Sequence, residues 1–212
     1  VKTLEKHELR TQRKYDRFAK VYDIFEAGIE KRFFGKWRKI VWNTLPRDAR
    51  VLEVGIGTGK NIPYYPDRVK VVGIDFSEGM LAKAELAAKK HSDKDVKLVQ
   101  MDVTNLKFED NTFDFVISTF VFCTVPDPIS GLKEIRRVLK PNGTVIFLEH
   151  MKSSKFLRNI PLYLMEPIMR FTVGTSVLRE TKKNILLSGL RIRKEKNLFS
   201  DIFRMIECTK GE

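Results

Sequence analysis

The apolar positions of this 212-residue chain change their period near residue 48. Between Leu4 and Trp42 they recur at helical spacing, through Leu9, Phe18, Val21, Tyr22, Phe25, Phe33, Phe34, Trp37, Ile40 and Val41, with Lys and Arg between them. That spacing predicts two or three amphipathic helices, and Pro46 closes the region. From Arg50 onward, short β-branched runs at 51–54, 69–74, 96–101, 113–118 and 144–148 alternate with helical stretches, the order of a parallel α/β sheet. Ser77 predicts the cap of a helix running to about residue 90. Asp127 followed by Pro128 supplies a cap and a first helical residue for another, ending near 139 at Pro141 and Gly143. Beyond Glu149 come a mixed apolar and basic stretch at 152–171, a helix near 180–187 ended by Gly189, and strand-like runs at 190–192 and 202–208. The expectation is one α/β domain over 1–212, its seven-stranded, mostly parallel sheet flanked by helices. Residues 1–48 form a helical cap, 49–150 the core, and 151–212 an insertion with the last strands.

Composition adds a core and a charge. At 42% hydrophobic the chain has ample material to bury. Its formal charge of +13 favours an anionic partner, and the charge is unevenly spread. Residues 1–48 hold thirteen basic and seven acidic side chains, 49–150 fourteen of each, and 151–212 thirteen and six. Cys123 and Cys208 have neither metal-site spacing nor the density of a disulfide scaffold, which points to a reducing, intracellular setting. No apolar run approaches the roughly 18–20 residues of a membrane span, and no signal-peptide pattern opens the chain. The expectation is a cytoplasmic protein, soluble or peripheral on the inner face of the cell membrane, with the monomer favoured.

The segment 51–60, Val-Leu-Glu-Val-Gly-Ile-Gly-Thr-Gly-Lys, carries the chemistry. A dinucleotide fingerprint needs G-x-G-x-x-G, and the place of its third glycine is taken by Lys60. The pattern is instead E-x-G-x-G-x-G, with Gly55, Gly57 and Gly59 letting the backbone approach a ligand and Glu53 offering a carboxylate suited to a cationic amino-acid group. Asp75 ends the second predicted strand, where a carboxylate accepts both hydroxyl hydrogens of a ribose. Asp102 ends the third, placed to accept from an adenine amino group beside the Val103 amide. Three carboxylates at successive strand ends define one crevice edge.

In these residues, together with Gly73-Ile-Asp75-Phe-Ser77, Met80, 113–118 and 139–149, the sequence resembles the class I S-adenosylmethionine-dependent methyltransferases over roughly residues 48–150. The resemblance implies a Rossmann-like class I methyltransferase fold and S-adenosylmethionine as cofactor, with no metal. It implies that Gly55, Gly57 and Gly59 wall the methionine part and that Asp75 holds the ribose. Met80 packs near the adenine, Asp102 and Val103 recognise it, and Ser118 and Thr119 lie beneath the sulfonium. Asn61, Phe76 and Ser77 fall beside the same cofactor, and Tyr15 and Tyr22 are placed to cover it, Tyr22 on the catalytic side.

Methyl transfer from a sulfonium needs an aligned acceptor, excluded water and, for an ammonium, deprotonation. His150 follows Glu149 beside the predicted crevice and is the candidate base. The 152–171 stretch is too short and too interrupted by Pro161 and Pro167 to span a bilayer. Its Phe, Leu, Ile and Met among cations suit an interface or a greasy pocket. The layout resembles the small bacterial phosphatidylethanolamine N-methyltransferases and their ubiquinone- and menaquinone-methylating relatives. That implies a hydrophobic acceptor at an anionic membrane surface, with Arg170, Arg179 and Lys182 as candidate phosphate ligands. Quinone, small-thiol and other small acceptors stand as alternatives; a nucleic-acid partner is disfavoured because the basic flanks are interleaved with aliphatic residues and no nucleic-acid module is present.

Overall fold

The computed structural model describes residues 33–172 and 176–211. Most of the expected N-terminal helical region, 1–32, with Tyr15 and Tyr22, lies outside the described residues. Its last helix, α1 (Gly35–Trp42), is present and buries Arg38, Val41 and Trp42.

Seven strands form one sheet: β1 (Arg50–Val54), β2 (Lys70–Asp75), β3 (Asp95–Gln100), β4 (Phe113–Thr119), β5 (Leu139–His150), β6 (Arg191–Phe199) and β7 (Phe203–Thr209). Their order is β3-β2-β1-β4-β5-β7-β6, with β7 antiparallel to both β5 and β6 and the remaining neighbours parallel. The chain leaves β1 toward one edge and returns to β4 on its other side. This reversal opens a crevice at the carboxyl ends of β1 and β4, the position where ligands sit in open α/β sheets. The helices α2 (Glu78–Lys90), α3 (Pro128–Val138), α4 (Phe156–Thr172) and α5 (Thr181–Leu187) complete the described elements, with a 3₁₀ turn at Ile62–Tyr64.

Both expected caps form. Ser77 Oγ accepts from the Met80 amide at 3.1 Å, and Asp127 Oδ1 accepts from the Ser130 amide at 3.1 Å, with Pro128 in the first turn. Two core clusters divide the sheet faces. Val41, Trp42, Leu81 and Ala84 bring α1 and α2 against one face, while Leu132, Ile135, Val138 and Ile185 bring α3 and α5 against the other.

Two expectations need correction. Pro141 and Gly143 do not stop α3: it ends at Val138, and both residues lie inside β5. The register slips between Phe113 and Phe115 beside them, the kind of irregularity at which a strand tolerates proline. The last strand pair is longer than its apolar runs suggest, because β6 is a nearly all-polar edge strand whose charges discourage edge-to-edge pairing. Most of the 152–171 stretch lies in the 17-residue helix α4, with Pro161 and Pro167 inside it. Among the described residues no helix is long and apolar enough to cross a membrane.

Candidate active site

The glycine turn leaves β1 with Gly55, Gly57 and Gly59 all at positive φ, +63°, +58° and +80°. Their surroundings differ. A Cβ at Gly59 would lie 2.8 Å from Ile62 Cδ1 and 3.2 Å from Ala84 Cα, so the packing of α2 against the turn demands that glycine. At Gly57 the nearest atom would be 4.0 Å away. Among the described residues the space over Gly57 is open, which fits a ligand laid along the backbone.

Asp75 fixes this turn. Its Oδ2 accepts from the Gly57 amide at 2.8 Å and its Oδ1 from the Ser77 amide at 2.9 Å. Phe76 is half-buried next to it, with its carbonyl taken by Gln100 Nε2 at 3.2 Å. Ser77 and Met80 are buried at the start of α2. Asp102 lies just beyond β3, where its Oδ1 accepts from the Thr104 amide at 2.8 Å. The Val103 side chain packs into the core cluster under α3.

Glu53 lies in β1. It is wholly buried, accepting from Asn61 Nδ2 at 2.7 Å and from the Tyr65 hydroxyl. Thr119 Oγ1 accepts from Asn61 Nδ2 at 3.0 Å and from Arg38 Nη1 at 3.1 Å, and Arg38 also donates to Asn61 Oδ1 at 3.0 Å. Burial raises the Glu53 carboxyl to about 7, against the opposing pull of the Tyr65 and Asn61 hydrogen bonds and the Arg38 charge. The network ties α1, the glycine turn and the end of β4 together beneath the crevice. Arg38 and Tyr65 were invisible in the sequence, where one reads as a surface cation of an amphipathic helix and the other as a loop aromatic.

A stability prediction follows from Glu53. A carboxyl whose folded pKa exceeds its unfolded value binds more protons in the folded state, so its contribution falls as pH rises between the two values. From 4.5 to about 7 the loss from this group is about 3 kcal/mol. In Glu53→Gln the amide still accepts from Asn61, and the Tyr65 hydroxyl turns to accept. Urea unfolding between pH 4.5 and 8.5 is expected to show a flatter stability profile for Glu53→Gln than for the native chain; parallel profiles would refute the assignment.

On the other side of the crevice, Glu149 is also fully buried. Its Oε1 accepts from Ser118 Oγ at 3.2 Å and from the Val121 and Phe122 amides at 2.9 and 3.2 Å. Phe120, at φ +61°, turns the chain after β4 back toward that carboxylate. Burial raises Glu149 to about 7. His150 ends β5, held below its ordinary pKa by burial and bonded to the Ser176 backbone. Its Nε2 is buried without a hydrogen-bond partner.

Arg170 and Arg179 line one cleft of about 480 Å³ with Lys152, Tyr163, Glu166, Glu180 and others. Arg179 is anchored there by the Cys123 and Val125 carbonyls at 3.3 and 3.0 Å, and Arg170 Nε donates to Glu166 Oε1 at 2.5 Å. Lys182 does not line it; its Nζ pairs with Glu195 at 2.6 Å.

The fold and the crevice define a nucleoside-binding α/β enzyme. Residues 52–147 match the methyltransferase domain family model. The phosphatidylethanolamine N-methyltransferase of Cereibacter sphaeroides is 38% identical over 144 residues, covering 68% of this chain and 69% of that protein. A demethylmenaquinone methyltransferase of Staphylococcus epidermidis is 37% identical over 142 residues, covering 64% of this chain and 55% of that one. Among solved structures, an S-adenosylmethionine-dependent methyltransferase from Thermotoga maritima superposes with a TM-score of 0.72 over 93% of this chain and 99% of its own, at 22% identity. One from Aquifex aeolicus gives 0.59 over 81% and 88%, at 21% identity. The chain belongs to the S-adenosylmethionine-dependent methyltransferases and has their Rossmann-like class I fold.

Proposed function

We propose that this enzyme methylates the amine of a phospholipid, phosphatidylethanolamine foremost, at an anionic membrane surface. The carrying observation is α4. Phe156, Leu157, Ile160, Leu164, Ile168 and Phe171 are exposed along it, Leu157 and Leu164 at 77% and 71%. Polar contacts hold the helix at both ends. Asn159 bonds both ways to the Ser153 backbone at 2.8 and 2.9 Å, and Arg158 pairs with Asp201. Near the other end, Glu166 accepts from Ser176 Oγ and the Val177 amide, both at 2.8 Å. A tethered helix with an apolar outer face and cations nearby suits an interface.

Beside it lies the Arg170 and Arg179 cleft, whose cations and carboxylates together complement a zwitterionic phosphate and ammonium better than a neutral quinone ring. The relative from Cereibacter sphaeroides supports the amine reading; the menaquinone enzymes make quinone methylation the competing outcome.

Bound S-adenosylmethionine supplies an electrophilic methyl group on its sulfonium. In this reading Gly57 and Asp75 hold its nucleoside end, with Asp102 and Val103 by the base. Ser118, Thr119 and the turn held by Glu149 form the floor on which the acceptor is aligned. Water must be excluded, and an ammonium must lose its proton before its lone pair attacks.

Purified protein given labelled S-adenosylmethionine and vesicles of phosphatidylethanolamine with phosphatidylglycerol is expected to yield methylated lipid. Transfer only to a quinone or a thiol in the same assay would replace this substrate. Each leucine removed from an interface costs about 1.5–3 kcal/mol. L157E/L164E is therefore expected to lower vesicle partitioning at least tenfold, measured by co-flotation, with cofactor binding unchanged. Equal flotation would remove α4 as the docking element.

A further inference from the structure

Where β4 and β5 end, a thiol, a carboxylate and an imidazole meet inside the protein. One donor atom each from Cys123, Glu149 and His150 lies within 4.8 Å of the other two, and among the described residues this is the only such group of Cys, His, Asp and Glu. Glu149 is 0% exposed and Cys123 4%. Two polar atoms here, Glu149 Oε2 and His150 Nε2, are buried without a hydrogen-bond partner. Unsatisfied buried polar atoms are costly, more so when charged. Two on adjacent residues, beside a thiol, mark a place where the fold provides for a guest.

The surroundings hold the donors as metal ligands are held. His150 is bonded to the Ser176 backbone. Since Nε2 has no partner, the Nδ1–H makes that bond and leaves the Nε2 lone pair for a ligand. The Ser176 amide in turn donates to the Cys123 carbonyl at 3.0 Å, which also accepts from Arg179 Nε. Glu149 is oriented through its other oxygen by Ser118 and the Val121 and Phe122 amides. Glu149 and His150 are thus positioned through atoms other than the ones left over, while the Cys123 thiol donates to the Phe120 carbonyl at 3.4 Å, a bond it would give up on losing its proton to the ion.

We infer that Cys123, Glu149 and His150 form a binding site for one divalent transition-metal ion of the zinc class. A thiolate, a carboxylate and an imidazole are the mixed set that such ions take, usually with a fourth position left to water. Ligand bonds of about 2.0–2.3 Å put donor atoms roughly 3.3–3.8 Å apart around a tetrahedral centre. Closing from within 4.8 Å needs only side-chain adjustment. Binding releases the thiol proton, forms the metal–sulfur bond and changes no oxidation state. Methyl transfer itself needs no metal. The ion fastens the turn after β4 to the end of β5, and a ligated His150 serves to hold that turn and not to take an acceptor's proton.

The test uses Co²⁺ as a probe on the reduced, chelator-treated full chain. A thiolate-to-cobalt charge-transfer absorption saturating at one equivalent, and bleached by Zn²⁺, is expected. Cys123→Ser should abolish the band and Glu149→Gln should weaken Co²⁺ binding at least tenfold. Cys208→Ala should keep the band, since Cys208 is buried in β7 with its thiol pushed up to about 12. Circular dichroism and S-adenosylmethionine binding confirm that each variant is folded. Absence of the band in folded native chain, or its survival in Cys123→Ser, overturns the site; either result would leave an ordered water as the guest.

Discussion

Asp75→Ala is expected to weaken S-adenosylmethionine binding at least 100-fold while leaving the chain folded. The Asp75 carboxylate accepts from the Gly57 and Ser77 amides at 2.8 and 2.9 Å, so it shapes the only glycine of the turn whose outer space is open. Asp75 ends β2 at the crevice edge, where a ribose would meet its carboxylate. Hydrogen bonds to a charged group contribute about 1.5–3 kcal/mol each. Two ribose hydroxyls lost together come to about 3 kcal/mol or more, and each 1.4 kcal/mol is a factor of ten. Calorimetric titration with S-adenosylmethionine and with its demethylated product measures this directly. A change under fivefold for both would mean that the nucleoside does not lie against Asp75. Asp75→Asn should fall between, because an amide can accept from one backbone N–H but turns its NH₂ toward the other.

Arg38→Met should cost about 3–5 kcal/mol of stability at pH 8, the usual range when one partner of a buried charged network is removed. Methionine fills most of the aliphatic volume, so the effect isolates the guanidinium. Asn61 Oδ1 loses its donor, and Thr119 Oγ1 keeps only the Asn61 amide. Glu53 loses the positive charge that opposes its burial. The pH dependence distinguishes this cause from simple packing. Below pH 6 Glu53 is largely protonated and needs the cation less, so the deficit should shrink there. A deficit of equal size at pH 5.5 and pH 8 in denaturant titrations would assign the loss to packing alone. Combined with Glu53→Gln, the cost of Arg38→Met at pH 8 should also fall, since the two residues share one network.

The caps show why parts of this molecule are legible without coordinates. Ser77 and Asp127 bond to amides three residues away, so the information for α2 and α3 is local. The glycines at 55, 57 and 59 are similar, since positive φ is a property of the residue itself. Alternating β-branched runs marked the five parallel strands to within a few residues except at the start of β5, where Pro141 reads as a helix stop and lies instead in an irregular strand. β6 was mostly missed for the opposite reason: an edge strand need not be apolar to pair.

The sequence alone determined the order of strands and helices, the glycine turn and the strand-end acids, because backbone preference and hydrophobic period act over a few residues. The tertiary structure decided what those groups do to one another. Arg38 reaches Thr119 across 81 positions, Glu149 meets Ser118 and the turn after β4, and Cys123 comes beside His150. It also decided that α4 keeps its apolar side outward. Burial and desolvation depend on everything packed around a side chain, and they place Glu53 in an internal hydrogen-bond network with Asn61 and Tyr65.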